Sequence, residues 1–300
     1  MSGAARTSPN TLTGIALLVA AVCCLAVLDT TTKVVSLGVP VLMALWFRYA
    51  FQAIATTAVM LPTRGWALLR TAHPKFQCLR GALLLSSSCL AFFSLKHMPV
   101  GEFTAIVMIT PLAMTLLASL TLGERVSVLR WALVMGGFVG TLIIIRPGGE
   151  RFSWAMLLPL GLVVSNSWFQ ILTSRLARTE DPVTMHFYTG WVGTLVASLA
   201  LPFVWTTLES WTLWAGLALM GFTATVGHFM MILAYARAPV STLTPFLYAQ
   251  IGFAMLGGWF AFSHVPDHLS LMGMAMIAVC GATGAWLSVR ESRLLIDAQS

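Results

Sequence analysis

Arg48 is the residue of this sequence best placed to do chemistry. It lies inside an apolar stretch, roughly 14 Å from the end of a helix that would begin near Pro40, taking about 1.5 Å per residue. A guanidinium at that depth is costly and faces either a bundle interior or a wet cavity. Two readings stay open: it meets the carboxylate of a substrate, or it is a structural partner for Asp29 or for helix-end carbonyls. Asp29 and Lys33 are four residues apart, so they are expected to pair on one helix face. Asn166 and Gln170 are also four apart, with Trp168 between them. An amide pair in hydrocarbon needs partners, which water or substrate in a cavity would supply. A tryptophan stacks on aromatic and aliphatic groups and on cations. This set suits an amphipathic zwitterion better than a sugar nucleotide, whose pyrophosphate would need several deep cations. A proton relay would have to use Asp29 or His228.

Other chemistries lack their residues. No H-E-x-x-H occurs and Asp29 has no second mid-span aspartate, which argues against an intramembrane protease. Cys23, Cys24, Cys78, Cys89 and Cys280 form no C-x-x-C, so neither zinc nor a redox pair is indicated. No catalytic residue, metal or cofactor is expected.

The elements that must position these groups follow from composition. The 300 residues are 58% hydrophobic and 9% charged, too few charges for a water-facing surface. The net charge of +7 does not gather into a nucleic-acid face. Ten segments are long and apolar enough to span a bilayer: 12–32, 40–61, 77–95, 100–122, 128–145, 153–173, 183–205, 212–235, 240–262 and 269–289. Backbone groups in hydrocarbon must bond internally, so the spans are helices. The first is expected to be a retained span rather than a signal peptide. With the N-terminus cytoplasmic, the inner regions hold 12 Lys and Arg and the outer regions 4 (Lys33, Lys96, Arg146 and Arg151). The positive-inside rule therefore puts both termini in the cytoplasm. In that tally Arg80 counts as an inner loop cation.

The chain also repeats itself. Pro99-Val100 falls on Pro239-Val240 at an offset of 140, and Pro40-Val41 on Pro182-Val183 at an offset of 142. Five spans per half is an odd number, so residues 153–290 enter the membrane opposite to residues 12–145. Such inverted halves, related by an axis in the membrane plane, serve alternating access. The register also aligns Ser88 with His228, Thr104 with Thr244, Met108 with Tyr248, and Trp46 with Tyr188. Two matching polar stripes are what a shared central cavity needs. Hydrogen bonds between helices are the blander use of each Ser or Thr. Trp46, Arg48, Ser88, Thr104, Met108, Asn166, Trp168, Gln170, Tyr188, His228, Thr244 and Tyr248 are thus the candidate substrate-binding residues. Pro111, Pro159 and Pro245 are expected to kink their helices. Gly136 and Gly140 form a G-x-x-x-G expected to pack within the molecule. His97 and His186 are expected at the interface.

The span count, the repeat, Arg48, and the run Pro111, Leu122-Gly123-Glu124-Arg125, Trp131, Gly136-Gly137 and Gly140 resemble the drug/metabolite transporter superfamily, specifically its EamA-type members. The second half departs from the pattern, with Ser263-His264 where the first has Gly123-Glu124. The resemblance implies a cavity lined by spans 1–4 and 6–9, with spans 5 and 10 outside. It also implies an inner-membrane transporter exporting amino acids, aromatic and other neutral ones. Uptake or drug efflux on the same fold is the alternative; a scaffold or an enzyme fits less well. The expected partners are a small-molecule substrate and membrane lipid, with no nucleic acid, and the protein is expected to be a monomer or weak homodimer.

Overall fold

The structure, a computed structural model, describes residues 9–113, 117, 128–149, 152–176, 179–238, 243 and 246–297. Thr115, the Leu122–Arg125 corner, Pro239, Val240, Thr244 and Pro245 lie outside the described residues. The described chain is helical, with no strand among the described residues. In order the helices are α1 (Pro9–Val35), α2 (Val41–Arg64), α3 (Pro74–His97), α4 (Val100–Val107), α5 (Val128–Ile145), α6 (Leu158–Leu176), α7 (Pro182–Val204), α8 (Trp211–Arg237), α9 (Ala249–Phe262) and α10 (His268–Asp297). Six of these regions are long and apolar enough to cross a membrane, and Val100–Ala113, Trp131–Ile145 and Ala249–Phe262 are shorter apolar helices.

Helix starts follow local chemistry. Asp181 accepts the Val183 amide at 2.7 Å, with Pro182 in the first turn of α7. Pro74 opens α3 in the same way. Pro159 lies in the first turn of α6, where its missing N–H costs nothing, so the expected kink is absent there. Pro111 does break its span. Its ring nitrogen cannot bond the Val107 carbonyl, and the Thr110 hydroxyl takes that carbonyl at 2.6 Å. The helix loosens over Met108 and Ile109 and resumes at Thr110. A second break stands at Tyr248, the residue 140 further on.

α1 packs on α8, α3 on α6, α2 on α7, α5 on α10 and α4 on α9. Exchanging the halves maps this set onto itself. The directions are opposed. Gly14 at the start of α1 meets Ala238 just past the end of α8, and Gly38 past the end of α1 meets Leu213 near the start of α8. Gly161 near the start of α6 lies on Leu90 towards the end of α3. α6 therefore starts at the end where α1 and α3 finish, and the second half runs inverted. The end where α1 begins is called proximal below, and the other distal.

The α5–α10 pair lies to one side. A Cβ on Gly140 would sit 2.9 Å from the Gly273 carbonyl, one on Gly273 2.6 Å from the Gly140 carbonyl, and one on Gly136 2.6 Å from Cys280 Sγ. The G-x-x-x-G is spent within the chain, as small residues permit close helix approach.

Candidate functional site: a hollow between the halves

The polar groups of the spans gather where α1, α2, α3, α4, α8 and α9 meet. Asp29 Oδ2 on α1 accepts from Thr104 Oγ1 of α4 and from Gln250 Nε2 of α9, each at 3.2 Å. Arg48 Nη1 on α2 donates to Ser88 Oγ of α3 at 2.6 Å, and its Cζ lies 5.1 Å from the Tyr49 ring centroid. Tyr49 Oη joins Ser88 Oγ at 2.7 Å, and Ser88 donates to the Leu84 carbonyl at 2.8 Å. His228 on α8 donates from Nδ1 to the Ala224 carbonyl at 2.8 Å. Arg48 is close enough to act through its field on both Asp29 and His228. Asp29, His228 and Tyr235 are half-buried and keep accessible surface. Half-buried polar side chains where several helices meet mark this junction as the candidate hollow. The α1–α8–α9 groove of about 640 Å³, lined by Val27, Thr30, Gly257 and Phe260 among others, is a different feature: it is apolar and lies on the outer face.

The candidate residues separate accordingly. Arg48, Ser88, Thr104 and His228 lie at this junction, the first three buried and His228 half-buried. Trp46 is half-buried between α2 and α7, its Nε1 donating to Ser198 Oγ at 2.8 Å. Met108 is buried in an apolar cluster with Ile106 and Leu112. Trp168 is 41% exposed on the outer face of α6, because the inward face carries Leu162, Val163 and Ser167. Asn166 and Gln170 are half-buried on its flank. Tyr188 is proximal and donates to the Leu69 carbonyl at 2.9 Å. The Tyr248 hydroxyl lies over the Cα of Gly281, so this ring points at α10.

Two expected pairings are replaced. Asp29 and Lys33 do not pair: Lys33 donates to the Leu95 and Met98 carbonyls at 2.9 and 2.7 Å and caps the end of α3. Arg48 bonds neither Asp29 nor a helix end, but Ser88. Arg80 and His186, expected in a loop and at the interface, are buried at 2% and 4% exposure. Asp29 had a readable signal as an acid within a span; Gln250 and Tyr235 had only the weaker one of a polar group inside an apolar run.

Both ends carry polar contacts between elements. Distally, His264 Nε2 meets Glu102 Oε1 at 3.1 Å, joining α9 to α4. Arg146 pairs with Asp267, which holds that carboxyl below the ordinary range. Arg146 and Ser263 both take left-handed backbone at φ 50° and 52°. Proximally, Arg64 pairs with Asp181, and Glu180 accepts from the Ala72 and His73 amides at 3.0 and 3.1 Å and meets His73 Nδ1 at 3.0 Å. Burial pushes the Glu180 carboxyl up, but the hydrogen bonds from Thr71, His73 and these amides outweigh it and hold it low.

Residues 12–146 match the EamA-like transporter family. The chain is 30% identical over 245 residues to a riboflavin transporter of Rhizobium johnstonii, covering 80% of each. It belongs to the EamA-like transporters of the drug/metabolite transporter superfamily. An S-adenosylmethionine uptake transporter of Rickettsia bellii is 28% identical over 77% of this chain and 79% of its own. The pseudopaline exporter CntI of Pseudomonas aeruginosa is 26% identical over 89% and 93%. A crystal structure of another protein has the same fold, with a TM-score of 0.65 and 21% identity over 94% of this chain and 99% of that one. This EamA-like protein is thus a multi-pass membrane protein whose relatives carry small molecules and differ in which ones.

Proposed function

We propose that this EamA-like protein is a facilitative carrier of a small amphipathic metabolite, working by alternating access between its inverted halves, residues 12–145 and 153–290. The observation that carries the proposal is the wall of the hollow. It bears an acid held by neutral donors (Asp29, with Thr104 and Gln250) and a cation held by one hydroxyl and a ring face (Arg48, with Ser88 and Tyr49). A cargo with an ammonium and a carboxylate answers both. Neutral amino acids, aromatic ones among them, meet that requirement, and so does S-adenosylmethionine, an amino-acid derivative. Riboflavin is a second candidate, favoured by the relative that bears its name. The named relatives include both an uptake transporter and an exporter, in keeping with a carrier whose direction follows the cargo gradient. The greater Lys and Arg count of the proximal side supports a cytoplasmic proximal side with both termini on it.

The test is counterflow in proteoliposomes with labelled tryptophan, methionine, S-adenosylmethionine and riboflavin. Saturable counterflow of at least one is expected, falling at least tenfold in Asp29→Asn while the purified variant stays monodisperse. No movement of any of the four by a monodisperse wild-type protein would reject the carrier reading for this cargo class.

A further inference from the structure

Among the described residues, the largest fully buried side chain belongs to Arg80, six residues into α3. Its Nη2 donates to the Met185 carbonyl and, at 2.5 Å, to Thr189 Oγ1, both on α7, and its Cζ lies 5.5 Å from the Phe169 ring centroid. Among the described residues no carboxylate pairs with it, and its Nε–H has no partner. One turn earlier on α3, Gln77 is wholly buried with both amide atoms unpartnered. On α7, His186 receives the Gln52 amide at its carbonyl, 3.1 Å, and at Nδ1, 3.3 Å. The ring proton then sits on Nε2, which is buried and also unpartnered. Buried polar groups are nearly always satisfied, and a buried cation without a counter-charge is costlier still. Three buried residues break that rule together, Gln77 and Arg80 on α3 and His186 on the α7 turn that holds Arg80, and each offers a free N–H.

The seam connects to the hollow. Arg48, Gln52 and Thr56 are buried on α2 at successive turns, so they form one polar stripe. The stripe starts beside Ser88 and passes through the Gln52–His186 contact to the α7 turn that holds Arg80. A cation thus stands at each end of a polar ladder that leads from the hollow towards the proximal side.

We infer that the α3–α7 seam is an oxyanion subsite, taking a carboxylate or phosphate group between Arg80, Gln77 and His186. In this conformation it is shut, with Arg80 resting on α7 in place of the anion. When the proximal ends of α3 and α7 part, Arg80 loses Met185 and Thr189 and the anion replaces them. This rests on the carrier reading for its biological role: the anion is then the carboxylate of the cargo, passed from Arg48 to Arg80.

The subsite is tested without knowing the cargo. The purified full chain is heated in detergent with sodium phosphate or sodium acetate, against sodium chloride of equal ionic strength. Both oxyanions should raise the melting temperature of the wild type by several degrees, and the rise should vanish in Arg80→Gln and shrink in Gln77→Leu. Arg80→Lys, which keeps the charge and loses the fork, should retain part of it. Equal shifts in wild type and Arg80→Gln, or no shift in the wild type, would overturn the subsite. The source of the anion is read from binding of tryptophan against tryptamine. A tryptophan preference lost in Arg80→Gln assigns the seam to the cargo carboxylate; oxyanion protection without that preference assigns it to free phosphate or a lipid headgroup. Protection that depends on Arg80 alongside failed counterflow would keep the subsite and reject the carrier reading, and working counterflow without protection would do the reverse.

Discussion

Two corners of the molecule are related by exchange of the halves and differ in their polar contacts. Proximally, the start of α7 is gripped by the α2–α3 turn through Arg64–Asp181, the Glu180 hydrogen bonds and the Tyr188–Leu69 contact. Distally, the start of α2 is gripped by the α7–α8 turn through aromatic packing. Phe47 lies 5.4 Å from Trp214 in a T-shaped pair and 6.1 Å from Trp205, and Trp214 Nε1 donates to the Leu208 carbonyl at 3.1 Å. Leu68 of the α2–α3 turn also packs on Val183 and Phe187 of α7, so the proximal corner adds ions to apolar packing while the contacts named at the distal corner are mainly rings. Ionic contacts can be exchanged for water with little net change, whereas stripped aromatic surface has no such substitute. Duplicated architecture does not imply duplicated contacts, and the exposed Arg64–Asp181 pair of the proximal corner is the contact most cheaply exchanged for water.

Experiments can break or sharpen this contrast, and the largest effect should come where both corners depend on one contact. At the α2–α7 crossing a Cβ on Gly193 would stand 2.4 Å from the Tyr49 ring. Gly193→Val should abolish recovery of folded protein, measured as the monodisperse fraction in detergent; normal recovery would show that the crossing is looser than drawn. Next, Trp214→Ala should lower stability by about 3 kcal/mol, the usual scale for truncating a large packed aromatic, read from detergent unfolding curves. Glu180→Gln should cost less, about 1–2 kcal/mol, since it weakens hydrogen bonds from the part-buried Ala72 and His73 amides without removing the acceptor. A larger loss for Glu180→Gln than for Trp214→Ala would invert the ranking of the corners.

Acid should separate the two further. The folded-state pKa of Glu180 lies below its ordinary 4.5, so its contribution is complete above that value and fades as the pH falls through the lower one. Melting temperatures of wild type and Glu180→Gln should therefore differ at pH 7 and converge as the pH falls below 4.5, while the Trp214→Ala deficit should stay constant. A deficit for Glu180→Gln that grew on acidification would contradict the sign. The smallest effect belongs to Arg64→Gln. Its pair with Asp181 is 43% and 42% exposed, and exposed pairs are worth roughly 0–1 kcal/mol, so its melting temperature should scarcely move.

Span placement was legible because apolar length is a property of the sequence itself. The expected 128–145 coincides with α5, and 183–205 lies within a residue of α7. The inversion was legible from the odd number of spans per half. The facing of individual residues was not. The repeat register puts Tyr248 beside Met108 in the alignment, but Gly281 opens a notch that turns the ring towards α10. Trp168 looked inward because of its amide neighbours, and only the packing of Leu162 and Val163 shows that it faces out. Arg80 was the hardest to place. Near a helix start a cation ordinarily reaches water, and nothing local signals that Phe169 and Thr189, about a hundred residues away, will close over it. The partners of Asp29 lie 75 and 221 residues downstream and meet only in the fold.

The glycine contact between α5 and α10 bears on what kind of motion the fold permits. With main chain resting on main chain at Gly140 and Gly273, any lengthwise slip would drive a bulkier neighbour into the gap. Those two rods are therefore locked in register and act as a mast. Whatever swings to admit or release a passenger must pivot about that mast, in the eight remaining spans.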